Sequence, residues 1–414
     1  MRKNPKILPN FGNEIPKYCL FLGFWVDFGE EGEYNKVMIK RDLESEIRGK
    51  IGTGKTIVIF GARQVGKTTL IQKIFGEEEG VLWLNGDDDD TRAVMAKASK
   101  ETLGKMIQGY KTVIIDEAQR IEDIGLKLKI LHDNYSNEVQ FVATGSSSFD
   151  LANKINEPMT GRKWTFWLPA FTARELVNDS NYITEYGNLE NRLIYGSYPA
   201  VVTAEGGTRR EILDELKSDN LYKDVLSFGE IIKTTKLREI LQALALQIGS
   251  QVSMNELGAL LDIDRKTVDK YISLLEQAFI IFRLPSFKRN LRNELKTSQK
   301  IYFYDNGIRN ALINDYRPVG LRDDAGALFE NYIVSEMKKT HVSDNLYFWR
   351  NLEQQEIDLL IERDGVITAI EAKYSPKKSV KFPKSFEETY RPGREIVVNR
   401  ENYLDLLVGE GVEI

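Results

Sequence analysis

One segment, IVIFGARQVGKTTL at residues 57–70, constrains the fold of this chain more than any other part of the sequence. It starts with a β-branched run, continues through the pattern G-x-x-x-x-G-K-T, and ends in residues that favour a helix. Gly61 and Gly66 allow a tight turn whose backbone N–H groups point at an anion, and the dipole of the following helix strengthens the same field. The segment predicts a strand, a phosphate-binding loop and a helix; a chance glycine loop is the alternative.

The side chains of this loop have the chemistry that a nucleoside triphosphate requires. Lys67 can neutralise the β- and γ-phosphate oxygens, and the Thr68 hydroxyl can ligate Mg²⁺. We therefore predict ATP and Mg²⁺ as cofactors. The predicted nucleotide contacts of the loop are Gly61, Ala62, Arg63, Gln64, Val65, Gly66, Lys67, Thr68 and Thr69.

A second segment, KTVIIDEAQRI at residues 111–121, supplies the acids that such a loop needs. An apolar run predicts a buried strand that ends in Asp116 and Glu117. A carboxylate at that strand end can hold magnesium, so we assign Asp116 to the metal. Glu117 can orient the attacking water and is predicted, with Lys67, to be catalytic.

Two further polar positions are candidates for sensing the γ-phosphate. Thr144 and Ser146 follow a third strand-like run in FVATGSSS, where the alternative is an ordinary polar turn. Arg162, in TGRKW, could stabilise charge on the phosphate from its own or from a neighbouring subunit. The alternative for Arg162 is a plain surface arginine.

The order of five segments makes a family resemblance specific. The segments GARQVGKTT, IIDEAQ, ATGSSS, TGRKWTFWLPAFTAREL and YGSYPAVV follow one another along the chain. This order resembles the prokaryotic AAA-type ATPases that carry a C-terminal domain of unassigned function, over about residues 38–405. The resemblance implies an ATPase of the AAA superfamily that forms homo-oligomers.

Residues 237–289 have the spacing of a helix-turn-helix unit followed by a β wing. Ser253 with Glu256 predicts a capping box, and Asp264 predicts the start of the third helix. The exposed face of that helix would offer Arg265, Lys266 and Lys270 to DNA. A basic stretch follows, with Arg283, Lys288, Arg289, Arg292, Lys296 and Lys300 against the single acid Glu294. The alternative, favoured by Asp262, Asp264 and Asp269, is a packing module that docks the C-terminal domain.

The segment EIDLLIERDGVITAIEAK near the C-terminus contains two acids and a lysine on two predicted strands. A hairpin through Arg363–Gly365 would bring Asp358 beside Glu371. Two carboxylates on neighbouring strands can bind a divalent metal, and Lys373 can position water or stabilise phosphorane-like charge. Glu330, on a preceding helix, could supply a third ligand. A solvated hairpin with a structural salt bridge is the alternative.

This second pattern resembles the PD-(D/E)XK nuclease superfamily. The resemblance implies that Asp358 and Glu371 are metal ligands, that Lys373 is the catalytic lysine and that Glu330 is the helical acid. Lysines that could hold a phosphodiester backbone follow: Lys377, Lys378, Lys381 and Lys384. Retained cleavage is a separate matter, because such a domain can bind without cutting.

The expected fold class is α/β, in five parts. Residues 1–37 read as an N-terminal extension or as the product of an upstream start codon. The other parts are a P-loop NTPase (AAA-type) core with a parallel sheet at 38–175, a helical lid or linker at 176–236, a winged-helix region at 237–320 and a restriction-endonuclease-like α/β domain at 321–414. Nucleotide hydrolysis would move the lid and change how the C-terminal part meets its partner.

Composition limits the remaining function classes. The net charge of −5 excludes a bulk polycation, so a DNA-binding surface must be a local patch. A single cysteine, Cys19, excludes a disulfide framework or a thiolate zinc cluster, and two histidines leave the chemistry to carboxylates and lysines. No run reaches the roughly 20 apolar residues of a membrane span. The expectation is a cytoplasmic protein without a membrane partner.

Three functions remain open at this stage. The first is an ATP-dependent DNA-processing enzyme in which Asp358, Glu371 and Lys373 cut phosphodiester bonds. The second is a nucleotide-controlled binding switch whose inactive C-terminal domain recognises nucleic acid or protein. A small-molecule kinase is a weaker third alternative, because it would leave the helix-turn-helix and the E-x-K segment without a purpose.

Overall fold

A computed structural model describes ten stretches of the chain, and they form two compact units, Met1–Ile39 and Lys40–Ile414. The described residues are 18–21, 24–27, 38–146, 155, 158–205, 207–220, 234–288, 299–342, 344–376 and 380–409. In the first unit, strands β1 (Tyr18–Phe21) and β2 (Phe24–Asp27) pair antiparallel, with Tyr18 opposite Asp27. All further elements belong to the second unit.

The second unit begins with a five-stranded parallel sheet in the order β4-β5-β6-β3-β7. Its strands are β3 (Thr56–Phe60), β4 (Val81–Asn85), β5 (Thr112–Asp116), β6 (Gln140–Gly145) and β7 (Lys163–Trp167). Its helices are α1 (Leu43–Arg48), α2 (Lys67–Phe75), α3 (Asp89–Lys97), α4 (Lys100–Ile107) and α5 (Ile124–Tyr135). The predicted α/β sheet and its three central strands are confirmed.

Strand β3 is buried along its whole length because helices cover both faces of the sheet. Successive side chains of a strand point to opposite faces. Accordingly, Ile57 and Ile59 pack in one apolar cluster with α2, while Val58 and Phe60 pack in another with α4 and α5. The parallel arrangement brings the carboxyl ends of β3, β5 and β6 to one edge of the sheet.

Short helices follow the sheet and pack into the next part of the chain. They are α6 (Ala173–Asp179), α7 (Tyr182–Gly187), α8 (Leu189–Tyr195), α9 (Pro199–Val202), α10 (Arg209–Glu215) and a π-helical turn (Leu216–Asn220). Val201, Leu213 and Leu216 lie in the same apolar cluster as Leu237 and Ile240. The predicted lid and the predicted winged-helix region therefore share one hydrophobic core, on either side of the boundary expected at Lys236.

The segment YGSYPAVV has a structural role in that shared core. Gly196 has a φ of +74°, and a Cβ there would lie 2.0 Å from the Asp305 carboxylate. Asp305 accepts a 2.7 Å hydrogen bond from the backbone N–H of Ser197. Asn310 donates to the carbonyl oxygens of Leu193 and Ile194 at 2.9 and 2.8 Å. The glycine is required because the chain passes directly over this buried aspartate.

Three helices and a three-stranded antiparallel sheet make up the next region. They are α11 (Thr234–Leu246), β8 (Gln251–Val252), α12 (Met254–Leu261), α13 (Arg265–Gln277), β9 (Ile281–Pro285) and β10 (Gln299–Phe303), with strand order β8-β10-β9. The Ser253 side chain accepts from the N–H of Glu256, and Asp264 caps α13 as predicted. Val268, Ile272 and Leu275 are buried on one face of α13. Helix α14 (Asn306–Ile313) follows.

The C-terminal domain is a four-stranded mixed sheet with helices. Its elements are α15 (Ala325–Thr340), β11 (Asn345–Arg350), β12 (Glu356–Arg363), β13 (Val366–Ala372), α16 (Lys384–Tyr390), β14 (Arg394–Val398) and α17 (Tyr403–Val408). The strand order is β11-β12-β13-β14, with only the last pair parallel. The predicted hairpin is confirmed, because Arg363 pairs with Val366 and the two turn residues have φ values of +50° and +80°. Within the described ranges, no helix is long and apolar enough to cross a membrane.

Candidate functional site

The phosphate-binding loop lies between the end of β3 and the start of α2. Gly66 has a φ of +95° and caps α2, so the loop amides precede a helix N-terminus. Gln64 also has a positive φ, of +61°. At Gly61 a Cβ would approach the carbonyl oxygen of Leu168 to 2.2 Å. Gly61 is therefore needed for close packing against the chain after β7, and Gly66 for its backbone conformation.

Lys67 lies over the loop, not in solvent. Its side chain is buried, and Nζ donates to the carbonyl oxygens of Gly61 and Ala62 at 3.0 and 2.9 Å. A phosphate held by the loop amides would meet this ammonium. The charge-neutralising role of Lys67 stays a prediction.

Asp116, at the end of β5, contacts both the start of α2 and the neighbouring strand β6. Its Oδ2 accepts a 2.7 Å hydrogen bond from the Thr68 hydroxyl, and its Oδ1 accepts from the Thr144 hydroxyl. Strand β6 lies between β3 and β5 in the sheet, which places Thr144 beside Asp116. The predicted magnesium ligands Thr68 and Asp116 are thus in contact with each other, and their oxygens are of the kind that would hold Mg²⁺.

Glu117 is held by neighbours on two sides. Its backbone is left-handed, with a φ of +47°, and its N–H donates to the Thr144 hydroxyl at 3.1 Å. The Gln119 amide donates to Glu117 Oε2 at 2.5 Å and to the Ser146 hydroxyl at 3.0 Å. Ser146 therefore lies next to the predicted water-orienting acid. The sequence patterns do not identify Gln119 as a site residue, although it lies two residues after Glu117 in the segment DEAQ.

Arg41 is a second residue that the sequence patterns missed. Its buried guanidinium donates to the Val65 carbonyl at 2.9 Å, to the Pro169 carbonyl at 2.6 Å and to Glu175 at 2.9 Å. A trans peptide points its C=O and its N–H in opposite directions. By holding the Val65 carbonyl, Arg41 fixes the direction of the Gly66 N–H in the loop. Arg41 lies outside every motif, so only the fold identifies it.

Arg162 does not reach the phosphate loop of its own chain. It precedes β7, whose Lys163 pairs with Thr56 at the amino end of β3, whereas the loop follows the carboxyl end. Its guanidinium pairs with Asp133 at 2.6 Å. The expectation that Arg162 serves its own nucleotide is corrected by the parallel direction of these strands. A role toward a neighbouring subunit stays a prediction.

The acids and the lysine of the C-terminal hairpin lie together. Lys373 Nζ contacts Asp358 Oδ2 at 2.9 Å and Glu371 Oε2 at 2.6 Å, and Asp358 Oδ2 also accepts from the Ala372 N–H at 2.9 Å. Asp358 and Glu371 are both buried, with residue exposures of 5%. Burial, together with the charge of Asp358, raises the pKa of Glu371 to about 7. Burial alone would lower the pKa of Lys373, but the two carboxylates raise it.

Glu330 is beside this cluster but has other partners. Its Oε1 accepts from Lys300 Nζ at 3.0 Å and from the Tyr302 hydroxyl at 2.6 Å. Burial and the nearby charge of Asp358 raise the pKa of Glu330 to about 7. Among the residues that the structure describes, no group of three or more His, Cys, Asp or Glu side chains is arranged to hold a metal ion. The ligand roles of Glu330, Asp358 and Glu371 therefore stay predictions.

The described basic residues predicted to meet DNA differ in their exposure and in their partners. Arg265, Lys266 and Lys270 are exposed on α13, and Lys381 and Lys384 are exposed near α16. Arg283 instead pairs with Asp269 and Glu276, and Lys300 is buried. Strands β9 and β10 pack on α15 through Phe282 and Tyr302, as the docking alternative expected. The following predicted basic residues lie outside the described ranges: Arg289, Arg292, Lys296, Lys377 and Lys378.

Comparison with protein families divides the chain into three matched segments. Residues 53–177 match a model described as an AAA domain. Residues 186–318 and 325–412 match two models described as domains of unknown function, DUF8612 and DUF4143. The first of these two spans both the predicted lid and the predicted winged-helix region, in agreement with their shared core.

Curated relatives extend over most of the chain. An uncharacterized protein of Mycobacterium tuberculosis is 25% identical over 346 residues, which are 82% of this chain and 75% of the relative. An uncharacterized protein of Haemophilus influenzae is 23% identical over 401 residues, which are 90% of this chain and 94% of the relative. An uncharacterized protein of Methanocaldococcus jannaschii is 26% identical over 342 residues, with 72% of this chain and 70% of the relative covered.

Two solved structures with similarity to this chain have low sequence identity and low TM-scores. The Thermotoga maritima RuvB Holliday junction branch migration motor has a TM-score of 0.29 and 18% identity, covering 62% of this chain and 95% of that one. A Pyrococcus horikoshii signal transduction ATPase with numerous domains has a TM-score of 0.30 and 11% identity, covering 73% of this chain and 46% of that one. Scores this low do not bear on the architecture. The matched family model and the strand–loop–helix geometry together make residues 53–177 an AAA-type P-loop domain.

Proposed function

We propose that this chain is a Mg²⁺-dependent ATP hydrolase. The observation that carries the proposal is the 2.7 Å contact between the Thr68 hydroxyl and Asp116, at the sheet edge where the phosphate loop begins. Thr68 and Asp116 would hold Mg²⁺, and the loop amides with Lys67 would hold the phosphate oxygens. The bound metal supplies charge stabilisation to those oxygens.

The protein's own contribution to the reaction is orientation of water and charge. Glu117 is the acid best placed to accept the proton of the attacking water, because its backbone and its carboxylate are both held. Gln119 and Ser146 keep the carboxylate in one direction. Thr144 bonds both Asp116 and the N–H of Glu117, so it links the metal ligand to the base.

Replacement of one lysine tests this proposal. Lys67→Ala removes the ammonium over the loop and should lower ATP turnover by on the order of 10²-fold or more. Lys73→Ala is a matched control, because Lys73 lies on the same helix and pairs with Glu44 at 3.1 Å, away from the loop. ATP turnover of Lys67→Ala equal to that of Lys73→Ala would reject the assignment.

We further propose that ATP turnover controls a nuclease-like C-terminal domain that meets DNA. The supporting observation is that Lys373 forms ion pairs with both Asp358 on β12 and Glu371 on the neighbouring strand β13. The winged-helix reading of residues 237–320 rests on the α12–α13 pair and on the three-stranded sheet beside it. Exposed Arg265 and Lys266 would contact phosphates. In a homo-oligomer, Arg162 would face the nucleotide of a neighbouring subunit.

Two versions of the C-terminal role differ in chemistry. One is phosphodiester cleavage; the other is a nucleotide-controlled switch that recognises DNA without cutting it. The pairing of each candidate acid with a lysine favours the switch, because one oxygen of each carboxylate is already engaged. Incubation with supercoiled plasmid, Mn²⁺ and ATP separates the two. Nicking that Asp358→Ala removes supports cleavage, whereas plasmid that is bound but stays intact supports the switch.

A further inference from the structure

Lys300 enters the C-terminal carboxylate site from outside that domain. It lies on β10, in the sheet that follows the three-helix region, and it is 1% exposed. Its Nζ contacts Glu330 of α15 at 3.0 Å and Glu356 of β12 at 2.5 Å. A buried ammonium is tolerated only when it is paired and hydrogen-bonded, and these two acids provide both.

Tyr302 reinforces the same contact. Residues two apart on a strand point to the same face, so Lys300 and Tyr302 both face α15. The Tyr302 hydroxyl donates to Glu330 Oε1 at 2.6 Å, the oxygen that also accepts from Lys300. Strand β10 thus supplies two donors to one carboxylate oxygen of the neighbouring domain.

The donors around the remaining acids complete the pattern. A divalent ion such as Mg²⁺ or Mn²⁺ needs several oxygens free to converge on it at roughly 2.0–2.3 Å. Glu330 Oε1 is engaged by Lys300 and Tyr302, and Asp358 Oδ2 by Lys373 and the Ala372 N–H. Glu371 Oε2 contacts Lys373 at 2.6 Å. One oxygen of each acid that a nuclease-like site would direct at a metal is therefore directed at an ammonium group, that of Lys300 for Glu330 and that of Lys373 for Asp358 and Glu371.

We propose that Lys300 is the resident cation of this carboxylate site and takes the place that a divalent metal would have. Lys300 therefore determines what the site accepts: while β10 lies on α15, the acids are matched to an internal ammonium and the site does not bind Mg²⁺ or Mn²⁺. Metal could enter only after β10 moves away from Glu330. This inference rests on the proposed nuclease-like character of the C-terminal domain.

Mn²⁺ binding tests the inference on the full chain without nucleotide. Free Mn²⁺ is measured by electron paramagnetic resonance for the unmodified chain, Asp358→Asn, Lys300→Met, and Lys300→Met combined with Asp358→Asn. Lys105→Met, which removes an exposed lysine of α4, is the matched control. We expect equal Mn²⁺ binding by the unmodified chain and Asp358→Asn. Lys300→Met should bind one additional ion, and Asp358→Asn should abolish that gain.

Two results would overturn the inference. One is Mn²⁺ binding by the unmodified chain that Asp358→Asn removes. The other is a folded Lys300→Met variant, judged by circular dichroism, that gains no ion. If Lys300→Met does not fold, the comparison of the unmodified chain with Asp358→Asn decides alone. ATP turnover and DNA retention in EDTA, measured on the same samples, report the proposed functions separately from metal binding.

Discussion

The Arg41 guanidinium holds the Val65 carbonyl at 2.9 Å and the Glu175 carboxylate at 2.9 Å, so one buried side chain joins the phosphate loop to the start of α6. The contacts continue beyond Glu175. The N–H of Ala173, two residues earlier, donates to Glu336 of α15 at 2.7 Å. Glu336 lies on α15, the helix that also carries Glu330. The phosphate loop is therefore connected to the C-terminal carboxylate site through the Arg41 hydrogen bonds, helix α6, the Ala173–Glu336 hydrogen bond and helix α15.

Replacement of Arg41 should weaken nucleotide binding. In Arg41→Met the Val65 carbonyl loses its donor and the loop amides lose their fixed direction. The KM for ATP should rise by about 10- to 100-fold, since one charged hydrogen bond contributes about 1.5–3 kcal/mol. Steady-state ATP hydrolysis gives KM and kcat together. Arg48→Met, which removes a partly exposed pair with Glu44, should leave both constants unchanged. Arg41→Lys should restore part of the affinity; an unaltered KM in Arg41→Met would exclude the positioning role.

Replacement of Glu117 should separate binding from hydrolysis. Glu117→Gln keeps the shape of the side chain but removes the base, so turnover should fall by about 10²- to 10⁴-fold while nucleotide affinity is retained. ATP affinity is measured by equilibrium binding, and turnover by phosphate release. Glu122→Gln, an exposed acid five residues away, is the control. Equal loss of affinity and turnover in Glu117→Gln would indicate a loop defect and not a missing base.

The predictable parts of the site are those encoded locally. The glycine loop, the acidic strand end and the hairpin at Arg363 each depend on residues close in sequence, and each formed as the patterns indicate. Arg41 and Glu175 are 134 residues apart, and Lys300 and Glu330 meet only after two regions dock. Such contacts leave no periodic signal. The position of Arg162 could not be predicted from the sequence for a related reason: its distance from the loop depends on the direction of β7 relative to β3.

The buried pair of Glu336 and Lys339 should be important for stability. Their side chains are 1% and 2% exposed, and Nζ lies 2.7 Å from Oε1. Lys339→Met leaves the Glu336 charge without its lysine and should lower the free energy of unfolding by about 3–5 kcal/mol. Arg210→Met breaks the exposed pair with Asp214 and should change the free energy of unfolding by less than about 1 kcal/mol. Urea unfolding compares the variants, and similar shifts in both would contradict the importance of burial.

The pH dependence of stability should reveal the buried acid Glu371. Burial raises its pKa from the ordinary 4.5 to about 7 in the folded chain. The folded state therefore holds this proton more tightly than the unfolded state does. The contribution to stability is complete below pH 4.5 and is lost as the pH rises to about 7.

Glu371→Gln removes this proton exchange, so it should stabilise the chain more at pH 8 than at pH 5, relative to the unmodified protein. Urea unfolding midpoints at the two pH values measure the difference. Glu362→Gln, on the partly exposed end of β12, is the control and should show no such gain at pH 8. A Glu371→Gln effect that is the same at both pH values would mean that Glu371 is ionised throughout this range. In that case its contacts with Lys373 would outweigh its burial.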